Sequence, residues 1–237
     1  MKVNRVVYKT ADELATSAAR QILKLIQDAA THEKRLNIML SGGSTPALLF
    51  RRLAEIASTG VDWTYVHLYL GDERCVPHDH PESNFGLTKN LLLDKVPILA
   101  QNIHPLYLQG DLLVELERNE KELTEVPSFD LVLLGLGDDG HTASIFPDNM
   151  KLFDSATYCA SAVHPTTGQG RLTVTPRFLL EKAKSIVFMV TGANKAGIIA
   201  EIFSGSPESI KIFPTAMLQS KRSDIVWLLD ESAASKV

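Results

Sequence analysis

The chain has 237 residues, 45% of them hydrophobic, and its 24 basic and 28 acidic side chains give a net charge of −4. This length and apolar fraction allow one large hydrophobic core, so we expect a single domain over residues 1–237. Lysines and arginines form no cluster, which argues against a nucleic-acid or membrane-surface partner. Residues 1–9 carry charge throughout and have no unbroken apolar run, so we expect no secretory signal. No long apolar span occurs along the sequence, so we expect no membrane helix and a cytoplasmic location.

Cysteines and histidines give little support for a disulfide framework or a metal site. Cys75 and Cys159 are too few for a framework and lack the paired spacing of a zinc site, so we interpret them as structural thiols. His78 and His80 lie in a Pro-bounded polar segment with no third ligand at short spacing, which favours a solvated loop. We therefore predict no bound metal.

The first segments alternate between strand and helix patterns. Residues 3–8 predict a strand, and apolar residues at helical spacing predict a helix from Ala11 to about Ala30. Thr10 is placed to cap that helix, with Glu13 three residues later completing a capping box. The apolar residues 36–40 predict a second strand.

A glycine-rich turn, Ser41-Gly-Gly-Ser-Thr-Pro46, joins this strand to a helix over residues 47–57. The first N–H groups of a helix have no internal partner and carry partial positive charge, and a glycine pair lets an anion come close. The turn therefore predicts a phosphate cradle, although a simple capped turn is the alternative. It matches neither the Walker A loop nor the GxGxxG dinucleotide motif.

A third strand pattern, residues 65–70, runs into Gly71-Asp-Glu-Arg74. Asp72 and Arg74 would then lie at the carboxyl edge of a strand, where an acid and a forked guanidinium can contact the hydroxyls and phosphate of a substrate. A local ion pair on the surface is the alternative.

The most informative stretch is residues 129–147. Residues 131–134 are continuously apolar, which predicts a central parallel strand covered on both faces. The glycine-rich turn that follows displays Asp138, Asp139 and His141 where chemistry could occur, and His141 is the leading candidate for a base. A Gly-Asp-Asp-Gly run is also an ordinary turn, so other segments must decide.

The rest of the chain continues the alternation. The remaining predicted elements are helices over residues 83–93, 112–123, 176–182 and 213–219, and strands over residues 103–106, 158–163, 171–175, 185–190 and 224–229. Residues 165–170 predict a flexible loop. Thr191-Gly-Ala-Asn-Lys195 leads from a buried strand into a helix that ends near Phe203. A lysine in the first helical turn is mismatched with the helix dipole, which favours a phosphate-contacting role for Lys195.

Four predicted strands thus finish in glycine-containing or charged turns, at residues 41–45, 72–74, 138–141 and 191–195. In a doubly wound sheet the carboxyl ends of such strands can share one crevice. We therefore predict an α/β fold, a mostly parallel sheet flanked by helices, with one site assembled from these four turns.

With these turns and the strand Arg171-Leu-Thr-Val-Thr175, the chain resembles the 6-phosphogluconolactonase family within the glucosamine-6-phosphate deaminase-like superfamily. The resemblance spans most of the chain in the expected order. It implies a single-domain Rossmann-like fold and hydrolysis of 6-phospho-D-glucono-1,5-lactone in the oxidative pentose phosphate pathway, with no required cofactor. It also implies that His141 is the catalytic histidine. The residues that it implies for substrate-phosphate and polar contacts are Gly42, Gly43, Ser44, Thr45, Arg74, Arg171 and Lys195.

The chemistry of a lactone fits these residues. An imidazole can take a proton from water at neutral pH, so we expect His141 to be the general base, with Asp139 or Asp72 orienting its ring. The expected partner is a small phosphosugar lactone, and we expect a monomer.

Two alternatives remain at this point. The first is a glucosamine-6-phosphate deaminase and isomerase. Two residues argue against it: Phe146 lies where that family has a glutamate, and Arg74 lies where it has a tyrosine. The second is a non-catalytic sugar-phosphate sensor, which would carry a helix-turn-helix segment that this sequence lacks.

Overall fold

The protein is built around a parallel sheet of seven strands, seen in a computed structural model that describes residues 3–237. In spatial order the strands are β1 (Asn4–Tyr8), β10 (Val226–Asp230), β9 (Ile186–Val190), β6 (Leu131–Leu134), β2 (Leu36–Leu40), β3 (Val66–Leu70) and β5 (Ile103–His104). Every residue of β2 and β6 is buried, as expected of strands covered on both faces. The predicted α/β fold with a mostly parallel sheet is confirmed.

Helices pack on both faces of this sheet. They are α1 (Ala11–Thr31), α2 (Ser44–Ala57), α3 (Asn84–Leu91), α4 (Leu112–Glu125), α5 (Pro176–Glu181), α6 (Ala196–Ser204), α7 (Pro207–Ile212) and α8 (Pro214–Lys221). Neighbouring residues of a strand point to opposite faces. On β10, Trp227 contacts Phe203 of α6 and donates to Gln219 of α8, whereas Leu228 lines a groove with Ile22 of α1. Within residues 3–237, no helix has the length and hydropathy needed to cross a membrane.

The two helices nearest the N-terminus begin differently. For α1, the predicted cap is present, since Thr10 Oγ1 accepts from the Glu13 backbone N–H at 3.1 Å. For α2, the helix begins at Ser44, three residues before the predicted start. Gly43 precedes it with φ +111°, a backbone conformation that glycine adopts at little cost, so the chain can turn directly from β2 into the helix.

A small antiparallel sheet covers one end of the large one. Its strands are β4 (Asp72–Arg74), β8 (Gly170–Val174) and β7 (Cys159–Val163), in that order. The prediction of a turn at residues 72–74 is therefore wrong, because this segment is a strand that pairs with β8, almost a hundred residues later. Both sheets contribute to one hydrophobic core, since Leu172 and Val174 of β8 belong to the same buried cluster as the large sheet.

The direction in which the chain travels reverses between β2 and β6. From β2 it proceeds to β3 on one side, and from β6 it proceeds to β9 on the other, although β2 and β6 are hydrogen-bonded neighbours. A crevice opens outside the carboxyl ends of parallel strands at such a reversal. The turns after β2 and β6, at residues 41–45 and 135–141, border that crevice.

Candidate active site

A cavity of about 180 Å³ lies at this reversal point. It is lined by Gly42 and Gly43 after β2, by Asp72 and Arg74 of β4, and by His141 after β6. Three of the four predicted turns thus meet in one small space. The small antiparallel sheet supplies one wall, so the site is shared between the two sheets.

A second cavity of about 360 Å³ continues from the first and shares Gly42 and Gly43 with it. Its other lining residues include Ser44 and Thr45 at the start of α2 and Lys195 before α6. The fourth predicted turn therefore joins the same crevice, at the end away from His141.

His141 is held by a carboxylate two residues before it. The imidazole Nδ1 lies 2.5 Å from Asp139 Oδ1, which also accepts the His141 backbone N–H at 3.1 Å. The His141 side chain is 29% exposed, and its Nε2 forms no hydrogen bond within the described chain. With Nδ1–H donated to the carboxylate, Nε2 carries the lone pair and can accept a proton.

The carboxylate partner of this pair is ionised. Burial opposes the charge of Asp139, but the hydrogen bond and charge of His141 outweigh it and hold the pKa of Asp139 below its ordinary value. The imidazole also packs on Phe146, whose ring centroid lies 4.9 Å away. Gly137 leaves the room that the ring needs, because a Cβ there would lie 2.0 Å from His141 Nδ1. The orientation of His141 is thus fixed from several sides.

Asp72, the other carboxylate considered as a partner of His141, has different contacts. It is 7% exposed, and its Oδ2 accepts from Ser144 Oγ at 2.9 Å while its Oδ1 accepts from Asn84 Nδ2 at 3.3 Å. It therefore forms a wall of the cavity, and Asp139 makes the contact with the imidazole.

Two arginines lie opposite each other in the small sheet. Arg74 and Arg171 are register partners in β4 and β8, which places their side chains on one face. Arg74 lines the cavity, and its Nη1 donates to the Glu82 carbonyl. The Nε atom of each arginine is buried without a hydrogen-bond partner. Burial, and then the charge of Arg74, lower the pKa of Arg171. Of the two, Arg74 presents its guanidinium to the cavity, where it can pair with an anion.

The other end of the crevice is also suited to an anion. The first turn of α2 contains no acidic residue, so no carboxylate within that turn opposes its free N–H groups and the helix dipole at the cavity. Lys195 lies beside it, with Nζ 2.6 Å from Asp138 Oδ1. The hydrogen bond from Lys195 is the main cause of the lowered pKa of Asp138. Thr45 and Thr191 share a hydroxyl contact of 2.7 Å across this cavity.

Sequence reasoning missed two residues of the site, Glu73 and Asn84. Glu73 is fully buried, and burial raises its pKa despite the backbone N–H groups that it accepts. Its oxygens accept the N–H groups of Arg74, Asn84 and Phe85 at 2.7–2.8 Å. It thereby ties β4 to the start of α3 and brings the Asn84 side chain to the cavity wall. The sequence signal was the predicted helix start at Ser83, whose hydroxyl caps α3.

The crevice combines an imidazole and a cation at one end with a helix N-terminus and a lysine at the other. Such an arrangement can hold an anionic group while a distant electrophilic carbon meets an activated water. Across the described ranges, no group of three His, Cys, Asp or Glu side chains is arranged to hold a metal ion.

Comparisons with known proteins agree on one family. A family model described as glucosamine-6-phosphate isomerases/6-phosphogluconolactonase matches residues 9–227. A curated 6-phosphogluconolactonase of Haemophilus influenzae is 38% identical over 235 residues, covering 98% of each chain. One from Aggregatibacter actinomycetemcomitans is 38% identical over 236 residues, covering 98% of this chain and 99% of its own. The structure of the Trypanosoma brucei 6-phosphogluconolactonase is similar with a TM-score of 0.83 at 26% identity, covering 100% and 99%.

Proposed function

The chain belongs to the glucosamine-6-phosphate isomerase/6-phosphogluconolactonase family, and from this we propose that it hydrolyses 6-phospho-D-glucono-1,5-lactone to 6-phospho-D-gluconate. The geometry that carries the proposal is the hydrogen-bonded pair of His141 and Asp139 beside Arg74, at one end of a crevice with an anion-binding helix start at the other. The reaction is a step of the oxidative pentose phosphate pathway.

His141 acts as the general base. Its Nε2 takes a proton from a water molecule as the water oxygen attacks the lactone carbonyl carbon, and Asp139 stabilises the imidazolium that forms. The resulting tetrahedral oxyanion is stabilised by positive charge, which Arg74 supplies from the cavity wall. Collapse of the intermediate breaks the bond to the ring oxygen, and the imidazolium returns its proton to that oxygen. The product carries a free hydroxyl and a carboxyl group.

The phosphate binds at the far end of the crevice. Ser44 and Thr45 offer hydroxyl groups and the backbone N–H groups of the first turn of α2, and Lys195 offers a cation. Because the phosphate is fixed there, the lactone ring extends toward His141. The bound phosphate thus positions the carbonyl at a distance. Arg171 reinforces Arg74 from the neighbouring strand.

The test is lactone turnover measured above spontaneous ring opening, by the acid released in a pH-stat. We expect the wild-type protein to hydrolyse the lactone and His141→Ala to lose about 10²- to 10⁴-fold in kcat. The matched control is His164→Ala, because His164 packs on the same Phe146 ring at 5.2 Å but does not line either cavity. This control should retain wild-type kcat within about threefold, a loss of under 1 kcal/mol.

Two results would count against the proposal. Wild-type protein that fails to exceed the spontaneous rate, or that releases ammonia efficiently from glucosamine 6-phosphate, would show that the assigned reaction is wrong. Near wild-type turnover by His141→Ala would leave the reaction standing but remove the histidine as its base.

A further inference from the structure

Asn84 is the first residue of α3 and faces the smaller cavity across from Gly42. The residue is only 2% exposed. A Cβ added at Gly42 would lie 1.8 Å from Asn84 Oδ1, so this glycine leaves the space that the amide oxygen needs. The side chain is therefore part of the wall beside His141 and Arg74 and has room to face a ligand.

The orientation of the Asn84 amide follows from its neighbours. Its Nδ2 donates to the Asp72 backbone carbonyl at 2.9 Å and to Asp72 Oδ1 at 3.3 Å. A carbonyl oxygen can only accept, so the amide nitrogen must point there and Oδ1 must point away. Among residues 3–237, Oδ1 accepts no hydrogen bond. Unlike the buried Nε atoms of Arg74 and Arg171, it keeps some accessible surface. It is an open acceptor in contact with the cavity.

This acceptor is held rigidly. The Asn84 backbone N–H donates to Glu73 Oε1 at 2.8 Å, and the neighbouring Ser83 hydroxyl donates to Glu73 Oε2 at 3.2 Å. Ser83 also caps α3 by accepting from the Gly86 N–H at 3.0 Å. Side chain and backbone of Asn84 are thus both fixed before a ligand arrives, which is the condition for a contact that discriminates between substrates.

The group that meets Oδ1 must be a hydrogen-bond donor. On the proposed substrate, the carbonyl and phosphate oxygens only accept, whereas the ring hydroxyls donate. With the carbonyl between His141 and Arg74, the nearest hydroxyl is the one on the adjacent carbon. Resting on the proposed function, we propose that Asn84 is a specificity-determining residue whose Oδ1 accepts a hydrogen bond from the hydroxyl next to the lactone carbonyl.

The experiment compares the phosphosugar lactone with its analogue lacking that hydroxyl, the 2-deoxy lactone. We expect wild-type protein to prefer the hydroxylated lactone by about tenfold or more in kcat/KM, because the analogue leaves a buried acceptor unpaired. In Asn84→Ala the preference should fall to about twofold or less. Both values come from the same preparation, so the ratio does not depend on the fraction of folded protein.

Two further variants separate this role from a structural one. Lys89→Ala removes an exposed ion pair between α3 and Asp94 but no group of the cavity and no contact of Asn84, so it should keep the wild-type ratio. Asn84→Ser keeps a small polar residue at the helix start but is too short to reach both Asp72 and the ligand. It should lose the preference as Asn84→Ala does, and it serves if the alanine variant does not fold.

The outcomes distinguish this inference from the proposed function. If wild-type protein hydrolyses the lactone and the Asn84 variants keep the wild-type ratio, the inference is wrong and the function stands. An equal loss on both lactones is one form of this result, and it would mean that Asn84 orients water or supports the wall. If the wild-type protein turns over neither lactone, the proposed function fails and the inference with it.

Discussion

Replacing Asp139 with asparagine tests the carboxylate that holds His141. Asparagine has the same shape, and its oxygen can still accept the His141 backbone N–H that closes the turn at 3.1 Å. The change removes only the negative charge opposite the imidazole Nδ1, at 2.5 Å. Because the pKa of Asp139 lies below its ordinary value, that charge is present in the wild-type protein at neutral pH.

The size of the effect follows from the exposure of the pair. A charge-assisted hydrogen bond contributes about 1.5–3 kcal/mol. The side chains of His141 and Asp139 are 29% and 44% exposed, so solvent screening favours the lower half of that range. A loss of about 1.5–2 kcal/mol in the transition state corresponds to about 10- to 30-fold in kcat/KM. We expect this fall to appear in kcat, because the proposed phosphate-binding end of the crevice is unchanged.

The assay is steady-state lactone hydrolysis at pH 7, with circular dichroism to confirm the fold. An Asp139→Asn variant with kcat within about twofold of wild type would refute the role of this carboxylate, since about 0.4 kcal/mol is below any charge-assisted bond. A large rise in KM with unchanged kcat would place the residue in substrate binding instead.

Three further predictions follow from the neighbouring geometry. Asp138→Asn frees Lys195 from its 2.6 Å ion pair, so KM should fall by up to about fivefold with kcat unchanged, and a rise in KM would contradict this. Gly137→Ala places a Cβ 2.0 Å from His141 Nδ1, so kcat should fall by about 100-fold or more while the melting temperature changes little; retained activity would contradict the geometry. Burial, Arg35 and His104 lower the pKa of His67 to about 4. The unfolded state then binds the proton more readily than the folded state. The contribution of neutral His67 to the free energy of unfolding is therefore fully present above pH 6.5 and is lost as the pH falls toward 4. The shift corresponds to at most about 3 kcal/mol, and partial exposure reduces the expected loss to about 1–2 kcal/mol. Urea denaturation at pH 7 and pH 4 should show that the free energy of unfolding falls less for His67→Gln than for wild type. Equal falls in the two proteins would contradict the assignment.

The large sheet could be predicted because each of its central strands has a recognisable pattern in the local sequence. Continuous apolar runs such as residues 36–40 and 131–134 predict central strands, and both are fully buried. The turns that follow them carry their glycines and charged residues within a few positions. The convergence of these turns then follows from the parallel direction of the strands. The expected monomer and cytoplasmic location stay predictions.

The small sheet and the role of α3 depend on distant partners and could not be predicted in this way. At three residues, β4 is too short to have a periodic signature, and it exists because β8 pairs with it. In the same way, Asn84 reaches the cavity because the buried Glu73 accepts the N–H at the start of α3. A sequence shows neither the burial of Glu73 nor which helix start it holds.

The facing guanidiniums of Arg74 and Arg171 have a consequence for heat resistance. Two like charges side by side, with the Nε of each buried and unpartnered, weaken the folded state of the free protein. An anion at the cavity wall beside Arg74 reduces that repulsion, so occupancy of the cavity and the thermal tolerance of the protein are linked.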